Sequence, residues 1–99
     1  MKLREIALAR SGDKGDIANV TVIPYRKEDW PLLRERLTVE VVRCAFGELV
    51  TGEVTRYELP GICALNFVLR GALDGGVSAS LRLDIHGKSY QSIILDAEI

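Results

Sequence analysis

Ile17-Ala18-Asn19-Val20-Thr21-Val22-Ile23 is almost wholly apolar and β-branched. Such a run, bounded by turn residues, reads as a buried strand at the centre of a sheet. On its N-terminal side lies Ser11-Gly12-Asp13-Lys14-Gly15-Asp16, a break dense in glycine and charge. Beyond that break, Leu3 to Ala9 reads as a first strand with Ile6 and Leu8 on one face. On the C-terminal side, Pro24 closes the central strand where a missing N–H is tolerable.

Working outward, Asp29 stands where it can cap a short helix through Leu37, with Trp30 as an anchor over the core beside Leu33 and Leu37. Thr38 caps a second helix, in which Val39, Val42, Phe46 and Leu49 recur at helical spacing and Gly47 weakens the last turn. A third strand runs from Glu53 to Leu59 and stops at Pro60-Gly61. From Cys63 to Leu73, the residues Leu65, Phe67, Val68, Leu69, Ala72 and Leu73 wrap most of a helical circumference, which predicts a largely buried third helix. Asn66 and Arg70, four apart, then share a stripe that Asp74 continues before the stop at Gly75-Gly76. Leu81 and Leu83 must share a face with Ile93 and Leu95, which predicts a final hairpin turning at Ile85-His86-Gly87. The fold predicted is an α+β two-layer sandwich of about five mixed strands with helices on one face. The span from the second strand to the third is long enough for a right-handed parallel crossover.

The chain has 99 residues, read as one domain over 1–99 that buries roughly 65% of its unfolded surface. Thirteen basic and fourteen acidic side chains leave a formal net charge of −1. No global positive field recruits nucleic acid or an anionic membrane. Apolar runs are too short to span a bilayer, and the N-terminus lacks a signal peptide's apolar stretch. Cys44 and Cys63 form no CxxC and have no companion His, so the simplest compartment is the reduced cytoplasm. Each is read as a small buried hydrophobe.

Chemistry concentrates in Ser11-Gly12-Asp13-Lys14-Gly15-Asp16, with Asn19 just beyond. Its glycines let backbone N–H groups approach a ligand as an anion-binding nest, and Lys14 adds a point charge. Asp13 or Asp16 can accept a ligand hydroxyl. The competing reading is a charged hairpin turn whose Asp side chains cap local backbone. The segment is not a P-loop, since no Lys-Ser/Thr follows the second glycine and no helix follows the loop. Gly12 to Gly15 matches the GxxG of KH domains, but that loop joins helices and this one joins strands. Two carboxylates fall far short of a calcium ligand ladder, and nothing in the sequence calls for a metal or a cofactor. Asn66, Arg70 and Asp74 form a second cluster, either the solvent edge of the predicted helix or a site in which Arg70 binds a carboxylate or phosphate. Ser78, Ser80 and Arg82 alternate with the core residues of a fourth strand. His86, the only histidine, reads as an exposed turn residue.

Ala9-Arg10-Ser11-Gly12-Asp13-Lys14-Gly15-Asp16 followed by Asn19-Val20 resembles the opening signature of the AtuA-like ferredoxin-fold domain. Tyr57-Glu58-Leu59-Pro60 with Ala64 through Leu73 resembles its second signature. Gly75-Gly76-Val77, Ser80-Leu81-Arg82, Asp84 and Gly87-Lys88 resemble its third. Asp74 departs from the pattern, where the family carries another glycine. The family occurs as the C-terminal domain of acyclic terpene utilisation proteins and as a free-standing small protein, and this chain is expected to be the latter. The resemblance implies a ferredoxin-like fold and a link to the breakdown of branched or terpenoid acyl-CoA compounds. It implies no established reaction.

The function expected is that of an accessory or binding subunit, acting with itself or with a larger AtuA-type protein. Ser11, Gly12, Asp13, Lys14, Gly15 and Asp16, with Asn19, Asn66 and Arg70 as neighbours, would supply the ligand- or partner-binding surface. The alternative is a small stand-alone enzyme that uses Asp13 or Asp16 as general base with Lys14 as electrostatic partner. A cleft of ~300–1,000 Å³ is hard to build within one small protomer, which favours the first. Leu3, Ile23 and Ile94 are expected on an uncovered sheet face, and with them a homo-oligomer.

Overall fold

Alternation along the central strand sets the architecture. The computed structural model describes residues 1–14, 17–71 and 90–99, leaving aside the side chains of Asp13, Lys14 and Glu48. Within it, β1 (Ala7–Lys14) and β2 (Ile17–Pro24) form an antiparallel hairpin. Next come α1 (Trp30–Arg36), α2 (Val39–Phe46), β3 (Val54–Leu59), β4 (Ala64–Arg70) and α3 (Tyr90–Leu95). The sheet order is β1-β2-β4-β3, and every neighbouring pair is antiparallel. Since β4 opposes both β2 and β3, those two run parallel to each other with β4 between them. The span through α1 and α2 is therefore a parallel crossover, as its length predicts.

Several expectations are corrected. Where the structure describes the helix predicted over Cys63–Leu73, Ala64–Arg70 is instead the strand β4, hydrogen-bonded on both sides. Its Leu65, Phe67 and Leu69 are fully buried, whereas Asn66 and Val68 are half-buried and Arg70 is exposed. That is period two, the signature of a strand with one covered face. Ile93 and Leu95 belong to α3 rather than to a final strand. The sheet thus has four strands among the described residues, all paired antiparallel, instead of five mixed ones. The N-terminal boundary also moves. Leu3–Glu5 is a 3-10 turn, and β1 extends through Ser11–Lys14, which the sequence placed in a loop. The predicted strand and turn over 81–88, together with Asp74, Ser78, Ser80, Arg82 and His86, lie outside the described residues.

The core forms between the helices and one face of the sheet. Ala18, Val20 and Val22 of β2 stand opposite Leu69, Phe67 and Leu65 of β4, and all six are completely buried. Leu33 and Leu37 join them, with Val42, Phe46, Ile93 and Ile94 from the same layer. Leu3 and Ile94 are buried here, so they do not mark the uncovered face; Ile23 does lie in its rows. Trp30 packs against the core as read. Thr38 caps α2 as read, its Oγ1 accepting from the Val41 N–H at 3.3 Å. Asp29 occupies the N-cap of α1 but makes no side-chain cap bond. Instead the other end of that helix is held, because Arg56 of β3 donates to the carbonyls of Arg34 (2.7 Å) and Leu37 (3.0 Å). Cys44 is exposed and Cys63 half-buried, against the expectation that both fill the core.

Leu69 sits between Ala18 and Val54 with no exposed surface. Leu69→Ala is expected to cost about 2–5 kcal/mol, as other buried large-to-small changes do. Urea denaturation measures it, and a loss below about 0.5 kcal/mol, the level of a surface change, would contradict this packing.

Candidate functional site

The strand register sorts the candidate residues onto two faces. On the face away from the helices, Arg10, Thr21, Asn66 and Tyr57 line up across all four strands. The next row is Gly12, Asn19, Val68 and Thr55, and the row after it contains Ile17 and Arg70, with Lys14 as the backbone partner of Ile17. At the opposite end Leu8 pairs with Ile23. No described element covers this face. Arg10, Asn19, Arg70 and Tyr57 are exposed, Tyr57 by 51%.

Of the predicted residues, Gly12, Asn19, Asn66 and Arg70 share this outer face. Asn19 lies across Gly12: a Cβ there would meet the Asn19 amide nitrogen at 3.6 Å and its oxygen at 3.8 Å. Both are ordinary van der Waals distances, so the amide packs beside Gly12 without needing its missing side chain. Asn66 donates from Nδ2 to Thr21 Oγ1 at 2.8 Å, which fixes its orientation on the face. Asn66 and Arg70 do share a face, but by strand parity rather than by a helical stripe. Four residues along a strand place them about 13 Å apart, twice the ~6 Å of a helix. The two do not form a compact clamp.

Ser11 goes the other way. It stands in the row of Val20 and Phe67, and its hydroxyl donates to Gln91 Oε1 of α3, tying that helix to β1. Asp13 pairs in register with Ala18 and Lys14 with Ile17, so the connection from β1 to β2 is only Gly15 and Asp16. The backbone of Ser11–Lys14 is in the ladder. It is not the free loop that an anion-binding nest requires.

Arg70 is held by its backbone. Its N–H donates to the Glu53 carbonyl and its carbonyl accepts from the Gly52 N–H, both at 2.9 Å. A Cβ at Gly52 would lie 2.5 Å from that carbonyl oxygen. Gly71 follows in the left-handed region (φ 73°), where a Cβ would sit 2.6 Å from Thr51 Oγ1. Two glycines thus clasp the end of the β3–β4 pair around Arg70.

Sequence reading missed Arg10, Thr21 and Tyr57 as neighbours of these residues. The signal that finds them is strand parity, once β4 is a strand. A separate open groove of about 450 Å³ lies on the helix layer, between α2 and the C-terminal segment. Glu40, Val41, Cys44 and Ala45 line one side, Asp96, Ala97 and Glu98 the other. Asp96 pairs with Arg4 and Glu98 with the Met1 ammonium, so two of its three carboxylates are already engaged. Among the described residues no group of His, Cys, Asp and Glu is disposed to hold a metal ion, and no helix is long and apolar enough to cross a membrane.

Among the described residues, a four-stranded antiparallel sheet with helices on one face and none on the other defines an α+β domain consistent with the ferredoxin-like class. The chain belongs to the AtuA ferredoxin-like domain family, whose model matches residues 1–99. No curated protein and no solved structure matches it.

The geometry predicts separate effects for two changes. Gly52→Ala is expected to lose about 1–3 kcal/mol, since the new methyl meets backbone that cannot turn aside. Ser11→Ala is expected to lose about 0.5–1.5 kcal/mol through one part-buried hydrogen bond, leaving the outer face intact. Thermal melts of the two variants check both.

Proposed function

We propose that this domain is a binding and accessory unit that works through its outer sheet face, with a larger AtuA-type protein or a second copy as partner. The observation that carries this reading is the face itself: three aligned rows in which Arg10, Thr21, Asn66, Tyr57, Asn19, Thr55 and Arg70 stand among the apolar Val68 and Ile17, and which no described element covers. A small domain seldom leaves a broad sheet face in water, and such faces usually serve as interfaces. Gly12 and Asn19, with Lys14 in register beside Ile17, bring the family's opening signature to the end of that face. That signature, which also includes Gly15 and Asp16, contributes to a composite site for an acyl-CoA or organic-acid compound. Asp13 and Ser11 complete the signature from the other rows. The setting is branched or terpenoid acyl-CoA catabolism in the cytoplasm, a compartment in keeping with two free thiols.

The alternative is a small enzyme that uses Asp13 or Asp16 as general base with Lys14 as electrostatic partner; of these, Asp13 and Lys14 are consecutive in β1. Consecutive strand residues belong to opposite faces, and their register positions follow that rule. The register thus counts against the Asp13 version of that enzyme.

Light scattering after gel filtration tests the reading, with the chain alone and mixed with the larger AtuA-type protein. A species well above the 10.9 kDa monomer is expected in one of the two samples. Asn19→Ala together with Lys14→Met should remove it while leaving the melting temperature within ~2 °C, as for surface changes. Persistent 10.9 kDa monomer in both samples would sink the binding-unit reading.

A further inference from the structure

Within the four strands, the charged residues with described side chains on the outer face are Arg10 and Arg70. Arg10 and Arg70 are both exposed and neither makes an ion pair with any described residue. The face has no Asp or Glu in its rows from Leu8 to Arg70 within the four strands. Among the described residues the nearest carboxylate in backbone terms is Glu53, just before β3, which accepts the Arg70 N–H at its carbonyl but does not pair with the guanidinium. The whole chain carries fourteen acids against thirteen bases, so this cationic surface is a local arrangement. Apart from Glu53, the exposed glutamates Glu5, Glu28, Glu35, Glu40, Glu58 and Glu98 stand outside its rows.

Geometry adds a pattern. Arg10 and Arg70 stand two strands and four residues apart, a diagonal of about 16 Å with Asn19 at its midpoint. At the Leu8–Ile23 end, an apolar border is completed by Leu59, which is 37% exposed. The face therefore offers two cations, a central amide and a greasy margin.

A second copy fits this face poorly. Two-fold pairing would set two such cationic diagonals together, with one rim carboxylate per copy to offset them. We propose, resting on the binding-unit reading above, that the partner of this face is an acidic protein surface of a different chain. It presents carboxylates to Arg10 and Arg70 and apolar side chains to Leu8, Ile23 and Leu59. Arg10 and Arg70 set the choice of partner and speed its capture, while the apolar margin keeps it.

The test uses the full chain and a fluorescein-labelled peptide of alternating Glu and Leu as the probe. Controls are the same peptide with Gln for Glu and a labelled poly-uridine RNA. Anisotropy is expected to show binding of the Glu peptide and none of the Gln peptide. Arg10→Gln with Arg70→Gln should weaken it about tenfold, and raising salt from about 50 to about 500 mM should weaken it similarly. The double variant should melt with the parent, since both side chains are exposed and unpaired among the described residues. Equal binding of Glu and Gln peptides, tighter binding of the RNA, or indifference to the double substitution would overturn the proposal. So would self-association that the neutral variant or added salt strengthens, although that result keeps the binding-unit reading. A chain that stays monomeric and binds neither peptide, RNA nor the larger protein removes both.

Discussion

The pairing of β2 with β4 is the constraint on which the rest of this domain depends. Ala18, Val20 and Val22 face Leu69, Phe67 and Leu65 across it, six buried side chains in two facing rows. β1 is attached to one side of this pair and β3 to the other. The helices have a covered surface only because these rows give one. Burying apolar side chains on one face also decides the other, since period two sends Asn19, Thr21, Asn66 and Val68 outward together. The core and the candidate surface are the two sides of one pairing.

That pairing was half legible in the sequence. Ile17–Ile23 announced itself as a central strand because β-branched residues fill it and turn residues bound it. Its partner did not. In Ala64–Arg70 the outward Val68 is apolar and sits between Phe67 and Leu69, so three apolar residues run in succession and mask the alternation. Asn66 and Arg70, four apart, suit a helical stripe and a strand face equally, since four is near one helical turn and is also an even number. Only the ladder to β2 and β3 resolves the ambiguity, and long-range pairing is what local periodicity does not contain. The stretch that ends at Leu95 failed similarly, since Ile93, Ile94 and Leu95 are consecutive apolar residues without a period.

The candidate site divides along the same lines. The family signatures located the relevant residues in the chain, and the family match extends over 1–99. Their spatial grouping needed the register. Ser11 reads as a ligand hydroxyl within its motif, yet it bonds to Gln91 on the helix side, a contact between residues far apart in sequence. Arg10 stood in the opening signature without being singled out, and it shares a row with Asn66 because β1 extends past Ala9. Thr38 and Pro60-Gly61 were readable because caps and turns are local chemistry.

The glycine clasp at the end of β3 and β4 bears on an error that hydrophobic patterning cannot prevent. A slip of β3 by two residues along β4 returns every side chain to its proper face, so burial alone tolerates it. Such a slip would bring Val50 or Val54 to the place of Gly52, against the Arg70 carbonyl, where even a Cβ lies 2.5 Å from oxygen. Gly52 thereby makes the shifted hairpin sterically closed. One missing side chain selects a single alignment of the edge strand, and with it the position of Tyr57 beside Asn66.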